Sequence, residues 1–112
     1  AYYHRGVSCF HLGYLDDALS DLNLAIYLHP RRAPVYFYRG MVSQAVGNLP
    51  GAISDFSQAI KRDPDESIYY RCRADARAAN GDHNAAARDY RSYLRLSGGQ
   101  DRAEIEAQIA AL

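Results

Sequence analysis

Three arginines and three aspartates recur along the chain at a spacing that could hold charge pairs. Each type repeats every 34 residues, which gives the pairs Arg5 with Asp21, Arg39 with Asp55, and Arg73 with Asp89. The two members of each pair are equidistant from a glycine, at Gly13, Gly47 and Gly81. Residues equidistant from the turn of an antiparallel hairpin lie at the same height, so we predict three ion pairs within hairpins. The alternative is a row of arginines offered to an acidic ligand, but an acid recurring with the same period favours the ion pairs.

The histidines and cysteines lack the spacing of a metal site or an activated nucleophile. His4 and His11 are seven residues apart, which is two helical turns and too far to share an ion. Cys9 and Cys72 have no base near them in the sequence and lie in different segments, so we expect neither a nucleophile nor a disulfide. No glycine-rich phosphate loop follows a strand-like segment. We therefore predict that the chain is not an enzyme and uses no metal or cofactor.

The composition argues against nucleic acid and membrane as partners. Thirteen basic and thirteen acidic residues cancel, so the net charge gives no long-range attraction to an anionic polymer or surface. Ten tyrosines could stack on nucleobases, but the neutral charge opposes that interpretation. No apolar run approaches the ~18 residues of a membrane span. The localisation stays open, with the cytoplasm favoured, and a start at Ala1 without methionine suggests a fragment of a longer protein.

Helical periodicity recurs with the same 34-residue spacing. Apolar residues fall at helical spacing from Leu15 to Ile26, again from Leu49 to Ile60, and more weakly from Ala86 to Leu94. A further helix precedes each of these, at about 1–12, 34–46 and 67–80, and ends at a glycine suited to a left-handed C-terminal cap. Asn48 and Asp82 are suitable N-caps, and Pro30 and Pro64 end the second helices. The chain is therefore predicted to be all-α, with three helical hairpins.

A seventh helix is predicted at about 101–111. It places Ile105, Ile109 and Leu112 at i, i+4 and i+7, which makes one apolar stripe. Because the last hairpin of a stack would otherwise leave its apolar side in water, we expect this helix to cover it.

These residues resemble the tetratricopeptide repeat family, whose 34-residue helix-turn-helix unit stacks into an α-solenoid. Large aromatic residues occupy one column (Tyr2, Tyr36, Tyr70), and small residues occupy another (Gly6, Gly40, Ala74). The second-helix signature reads Ala18, Leu22, Ala25 and Pro30 in the first unit and Ala52, Phe56, Ala59 and Pro64 in the second. The third unit departs from it at Tyr93 and Gly98. The resemblance implies one domain over 1–112, with repeats at about 1–32, 33–66 and 67–98 and a capping helix at about 101–111.

The resemblance also implies a concave surface lined by the first helix of each unit. The positions expected to contact a partner there are Tyr3, Val7, Phe10, Phe37, Tyr38, Met41, Gln44, Arg71 and Asp75. We expect the apolar ones to hold the ligand and Gln44, Arg71 and Asp75 to fix its direction, with Arg71 and Asp75 at i, i+4 spacing able to pair. Some family members hold a chaperone-tail carboxylate with lysines, asparagines and an arginine. The matching positions here carry no such residue; they are Tyr3, Val7, Tyr38, Ile68 and Cys72.

The sequence thus predicts a protein–protein interaction module that takes a peptide or helix of another protein in an aromatic and apolar groove. The alternative is an assembly segment that stacks, or self-associates, through its open N-terminal repeat. Tyr2, Gly6 and Cys9 would form part of that open edge.

Overall fold

The computed structural model describes residues 2–112, which form seven α-helices joined by short turns. They are α1 (Tyr2–Leu12), α2 (Leu15–Leu28), α3 (Ala33–Ala45), α4 (Leu49–Arg62), α5 (Ser67–Ala79), α6 (His83–Leu96) and α7 (Arg102–Ala110). The first six pack as three hairpins that stack in chain order, because α2 also contacts α3 and α4 also contacts α5. The predicted α-solenoid of three hairpins with a seventh helix is confirmed. The bounds proposed from the sequence for the first helices and the last lie within one residue of these, except that Ala1 lies outside the described residues.

Glycine ends the first helix of every hairpin in the left-handed region. Gly13, Gly47 and Gly81 have φ of +85°, +84° and +88°. The residue after each glycine donates its backbone N–H to a carbonyl five residues earlier, for example from Asn48 to Ser43 at 2.8 Å. This bond satisfies a carbonyl that the helix leaves free at its C-terminus. The recurring glycine therefore reverses the chain in the same way in each hairpin.

The two predicted N-caps behave differently. Asn48 accepts a hydrogen bond from the backbone N–H of Gly51 at 3.1 Å, as a capping side chain does. Asp82 occupies the N-cap position of α6, but its side chain makes no capping bond and accepts one from Asn80 instead, at 3.2 Å. Asp82 is thus the N-cap residue of α6, as predicted, but its carboxylate is bonded to Asn80 and not to the backbone of the helix.

The small-residue column lies where the two helices of a hairpin cross. A Cβ on Gly40 would lie 2.7 Å from a ring carbon of Phe56, whereas a Cβ on Gly6 would meet Leu22 at 3.0 Å. Phe56 is fully buried, so its ring has little room to move. The second hairpin thus needs glycine at this crossing more strictly than the first.

This difference predicts unequal costs for the same substitution. Gly40→Ala is expected to lower the free energy of unfolding by about 1–3 kcal/mol, because the new methyl group overpacks against Phe56. Gly6→Ala is the matched control, and we expect it to cost less, since its new methyl group would come no closer than 3.0 Å to Leu22, against 2.7 Å for Gly40→Ala and Phe56. Urea denaturation followed by circular dichroism measures both. An equal or larger loss for Gly6→Ala would contradict the assigned crossing.

Tyrosine joins consecutive hairpins through its hydroxyl group. Tyr36 donates to the backbone carbonyl of Pro30 at 2.8 Å, and Tyr70 donates to that of Pro64 at 3.0 Å. Both carbonyls belong to the turn that ends the preceding hairpin. The recurrence of tyrosine and proline in the sequence therefore reflects one repeated contact between neighbouring hairpins.

Helix α7 covers the apolar side of α6. Ile105 is fully buried against a cluster that includes Tyr90, Tyr93 and Leu94, and Ile109 packs at its edge. Leu112 is exposed, so its predicted place in the apolar stripe was wrong: α7 ends at Ala110. The large Tyr93, at a column where the other units have alanine, belongs to the surface on which α7 packs.

Candidate functional site

Each of the three arginine–aspartate pairs forms a two-pronged ion pair within its hairpin. The Nε and Nη2 atoms donate to the two carboxylate oxygens, at 2.8 and 2.7 Å from Arg5 to Asp21. The same two bonds measure 2.9 and 2.7 Å from Arg39 to Asp55, and 2.9 and 2.8 Å from Arg73 to Asp89. All three aspartates are buried. Because the Nε and Nη2 atoms of each arginine already bind the aspartate, these residues hold the two helices together and offer little to an acidic ligand.

The ion pair between Arg5 and Asp21 changes the pKa of the aspartate. Hydrogen bonding from Arg5 lowers the pKa of Asp21 below its usual value. A carboxylate with a lowered folded-state pKa adds stability above its unfolded-state pKa and loses it as the pH falls through the folded value. The contribution of this pair is therefore present at neutral pH and disappears in acid.

A third contact of these arginines crosses from one hairpin to the next. Arg39 donates from Nη1 to Asn23 in α2 at 3.1 Å, and Arg73 donates from Nη1 to Ser57 in α4 at 3.2 Å. Sequence reasoning missed this contact, although the acceptors Asn23 and Ser57 are themselves 34 residues apart. Because this geometry is repeated, Arg39 and Arg73 each bind the side chain at this column of the preceding hairpin.

An aromatic cluster lies on the side formed by the first helix of each hairpin, which we call the first-helix surface (α1, α3 and α5). The ring of Tyr38 is at its centre, with ring centroids 6.1 Å from Tyr3, 6.3 Å from Phe10, 6.2 Å from His11 and 5.2 Å from Phe37. The cluster joins α1 to α3, and most of its rings are only half-buried. Its rings are thus open to a ligand on one side and supported by neighbours on the other.

Four of the uncharged positions proposed from the sequence divide into two groups by their packing. Val7 and Gln44 are half-buried on helices α1 and α3. Phe37 and Met41 are also half-buried, but both pack against the core around Phe56, and the Phe37 ring lies 5.1 Å from that of Tyr69. Replacing Phe37 or Met41 would therefore disturb the core as well as the surface, and the same holds for Tyr38, which packs at the edge of the core around Leu22. A binding assay on such a variant is therefore read together with a circular dichroism spectrum that shows it is folded.

Arg71 and Asp75 do not pair with each other, although their i, i+4 spacing would allow it. Arg71 donates to Asp101 at 3.2 Å and to Glu104 at 2.8 Å, and its guanidinium lies 5.4 Å from the ring centre of Tyr93. Asp75 instead accepts the hydroxyl hydrogen bond of Tyr90. Both predicted direction-setting charges are thus used inside the fold, and Arg71 ties α7 to the third hairpin.

Two tyrosine hydroxyl groups and one thiol near the aromatic cluster have raised pKa values and stay protonated at neutral pH. Burial and the neighbouring Tyr38 raise the pKa of Tyr3, and burial with nearby carboxylates raises the pKa of Tyr69 to about 12. Burial also raises the pKa of the Cys72 thiol to about 11, which leaves it a poor nucleophile. The surface therefore offers aromatic rings and neutral hydroxyl groups.

A pocket of about 280 Å³ opens beside the aromatic cluster. It is lined by Tyr3 and His4 from α1 and by Arg32, Pro34 and Val35 around the start of α3. Its size suits a single side chain, and Arg32 places a positive charge at its rim. Sequence reasoning did not single out Arg32, because it lies in the turn between hairpins and outside the repeated columns.

Two kinds of site are not found in the part of the chain that the structure describes. Residues 2–112 contain no group of three or more His, Cys, Asp or Glu side chains placed to hold a metal ion. No helix among them combines the length and apolar character that crossing a membrane requires.

The stacked hairpins and their repeated contacts define a helical-repeat protein, and comparison with known families identifies the class. The tetratricopeptide repeat profile matches residues 39–101, and a second profile of the same description matches residues 1–32. The chain belongs to the tetratricopeptide repeat family. No curated protein sequence matches it significantly.

Solved structures with the same fold cover nearly the whole chain. The first tetratricopeptide domain of Spaghetti (RPAP3), bound to the HSP90 peptide SRMEEVD, is 20% identical with a TM-score of 0.91, covering 98% of this chain and 86% of that one. The Arabidopsis OM64 domain is 22% identical with a TM-score of 0.91, covering 98% and 92%. The Yersinia enterocolitica chaperone SycD, in complex with a peptide of the translocator YopD, is 16% identical with a TM-score of 0.90, covering 98% and 88%. At these identities the similarity shows the fold.

Proposed function

We propose that this domain is a protein–protein interaction module that binds a peptide or helix of a partner across its first-helix surface. The observation that carries the proposal is the aromatic cluster around Tyr38, whose rings come from two hairpins and remain open on one side. Aromatic side chains give a large contact area at a small loss of side-chain entropy, and they dominate the energetics of many interfaces. The complexes of Spaghetti and SycD with partner peptides support this use of the fold.

The ligand is expected to be held mainly by apolar contacts. Tyr3, Val7 and Phe10 supply them from α1, and Tyr38 and Met41 supply them from α3. Gln44 is the uncharged hydrogen-bonding group beside them, and the nearby pocket would take one side chain of the ligand, with Arg32 at its rim. Because Arg71 and Asp75 are already bonded within the fold, they contribute no free charge to the groove.

A chaperone-tail carboxylate is a poor fit for this surface. Its binding in the family uses cations and amides at positions that are here Tyr3, Val7, Tyr38, Ile68 and Cys72. None of these side chains carries a positive charge. The acidic peptide bound by the Spaghetti domain would therefore meet no cation at these five positions, and the loss of these partners for its carboxylates costs binding free energy.

The groove is tested by replacing its central ring. A peptide-display library selected against the intact chain supplies ligands, and isothermal titration measures their affinity for the wild type and for Tyr38→Ala. We expect Tyr38→Ala to weaken binding by at least about tenfold, because a truncated aromatic at the centre of an interface costs more than ~1.4 kcal/mol.

Two controls test whether the loss of binding is specific to the Tyr38 ring and to apolar ligands. Tyr27→Ala is the matched variant, because Tyr27 is 82% exposed on α2 and far from the cluster, so binding should be unchanged. The peptide SRMEEVD should show no binding up to ~1 mM. Selected peptides that bind Tyr38→Ala as tightly as wild type would refute the proposed groove.

A further inference from the structure

The first hairpin exposes residues whose counterparts in the second and third hairpins are partly or fully covered. The arginine side chain of the ion-pair column is 64% exposed at Arg5, against 27% at Arg39 and 16% at Arg73. Tyr2 is 36% exposed, whereas Tyr36, its counterpart in the next hairpin, is 6% exposed. The difference arises because α2 covers α3 and α4 covers α5. The side of α1 and α2 that carries Arg5 and Tyr2, which we call the leading face, has no such cover within residues 2–112.

The leading face keeps the hydrogen-bond donors that join the other hairpins. At both internal junctions, a tyrosine hydroxyl donates to a turn carbonyl and an arginine Nη1 donates to Asn23 or Ser57. Tyr2 and Arg5 are in the same columns, and Arg5 already holds Asp21 with its Nε and Nη2 atoms. Within residues 2–112, neither the Tyr2 hydroxyl nor Arg5 Nη1 has an acceptor. The Tyr2 hydroxyl and Arg5 Nη1 thus occupy the columns from which the corresponding donors bind across the internal junctions.

Apolar groups accompany these donors. Leu24 and Leu28 on α2 are exposed, and Leu28 shares a depression of about 230 Å³ with Tyr2. In the second hairpin the corresponding residues are Gln58 and Arg62, and Arg62 donates to the carbonyl of Pro30 at 2.9 Å. The leading face therefore combines the polar contacts of an internal junction with more apolar area than the second hairpin has there.

We propose that the leading face binds a further helical hairpin of this repeat class, one whose second helix offers an Asn or Ser oxygen to Arg5 and whose closing turn offers a carbonyl to Tyr2. The proposed contact repeats the hydrogen bonds seen between α2 and α3 and between α4 and α5. The column of Asn23 and Ser57 acts as its recognition position, because an acceptor there completes the hydrogen bonding of the arginine opposite.

The trailing end of a second copy does not meet these requirements. Its residue in the acceptor column is Arg91, which would face Arg5 with a like charge. At the column of Pro30 and Pro64 its turn has Gly98 with a φ of +71°, which proline cannot adopt, so the backbone of this turn differs from that of the internal junctions. Helix α7 also already covers α6. Head-to-tail association of this chain is therefore disfavoured.

The test adds a hairpin of known acceptor type to residues 1–112. A copy of residues 33–68 fused directly before Ala1 keeps the 34-residue register and brings Ser57 and Pro64 to the leading face, and it contains no cysteine. Cys9 is the reporter, because it lies on α1 in the column of Ser43, which α2 buries at the next junction. Iodoacetamide labelling, resolved by peptide mass spectrometry, compares Cys9 with Cys72 as the internal reference. We expect labelling of Cys9 to slow at least about tenfold in the fusion while Cys72 is unchanged.

The matched control is Ser57→Arg in the added hairpin, which installs the residue that the third hairpin has in this column. We expect it to restore most of the labelling rate at Cys9. Unchanged labelling in the fusion, or equal protection in the fusion and its Ser57→Arg variant, would overturn the proposal. Protection of Cys9 that grows with the concentration of the unfused chain would also overturn it, because a second copy would then be the occupant.

Discussion

Replacing Phe56 by alanine is expected to lower the free energy of unfolding by about 3–5 kcal/mol. Phe56 is fully buried between α3, α4 and α5, where it contacts Phe37 at a ring-centroid distance of 5.9 Å and packs with Ala52 and Ala76. Gly40, Ala52 and Ala76 lie next to the ring and have no longer side chain with which to fill the space. The cavity would therefore remain, and urea denaturation should show a lower midpoint with little change in slope.

The control for this loss is Leu12→Ala. Leu12 is well exposed at the end of α1, so its truncation should change the free energy of unfolding by no more than about 0.5 kcal/mol. A loss at Phe56 no larger than the loss at Leu12 would show that the second hairpin does not depend on this ring.

The second large effect is expected at Asp89, and we estimate a loss of about 2–3 kcal/mol for Asp89→Ala. Arg73 holds both oxygens of this buried carboxylate, and Arg77 donates to one of them at 2.8 Å. The substitution leaves two partly buried guanidinium groups without their acceptor. The estimate lies below that for a fully buried pair because both arginines retain some contact with water.

Two comparisons make this prediction specific. Asp55 is bound by Arg39 alone, so Asp55→Ala should cost less than Asp89→Ala when both are measured by thermal and urea unfolding. Asp17 is exposed on α2, and Asp17→Ala should have little effect. If Asp55→Ala proves as costly as Asp89→Ala, the second arginine adds nothing to the stability of the third hairpin.

The parts of this structure that repeat were predictable from the sequence, because each repeated contact leaves a column of like residues. Glycine at Gly13, Gly47 and Gly81 marked the turns, and equal spacing from them related Arg39 to Asp55 before any coordinates were known. A helix boundary depends on local residues such as these, so short-range reasoning located it well.

The contacts of α7 were not predictable in the same way. The spacing of Arg71 and Asp75 on α5 would allow them to pair, but Asp101 and Glu104 bind Arg71 instead. These two acids lie at the start of α7, which is outside the repeat and has no counterpart to indicate its orientation. Likewise, the sequence showed that Phe37 faces the first-helix surface but not that its ring also packs on Phe56 and Tyr69. Packing between hairpins determines which half-buried aromatic rings are accessible to a ligand. Residue spacing alone does not.

The tyrosine bonds to Pro30 and Pro64 have a mechanical consequence. Both lie along the edge of the array where one hairpin passes to the next, whereas the opposite edge, at Gly47 and Gly81, has no side-chain hydrogen bond between hairpins within residues 2–112. Thermal bending of the array should therefore be a rotation about the proline edge that spreads the glycine edge. The compliance of the domain is then directional, and cross-linking neighbouring hairpins at the glycine edge would stiffen it more than cross-linking at the proline edge.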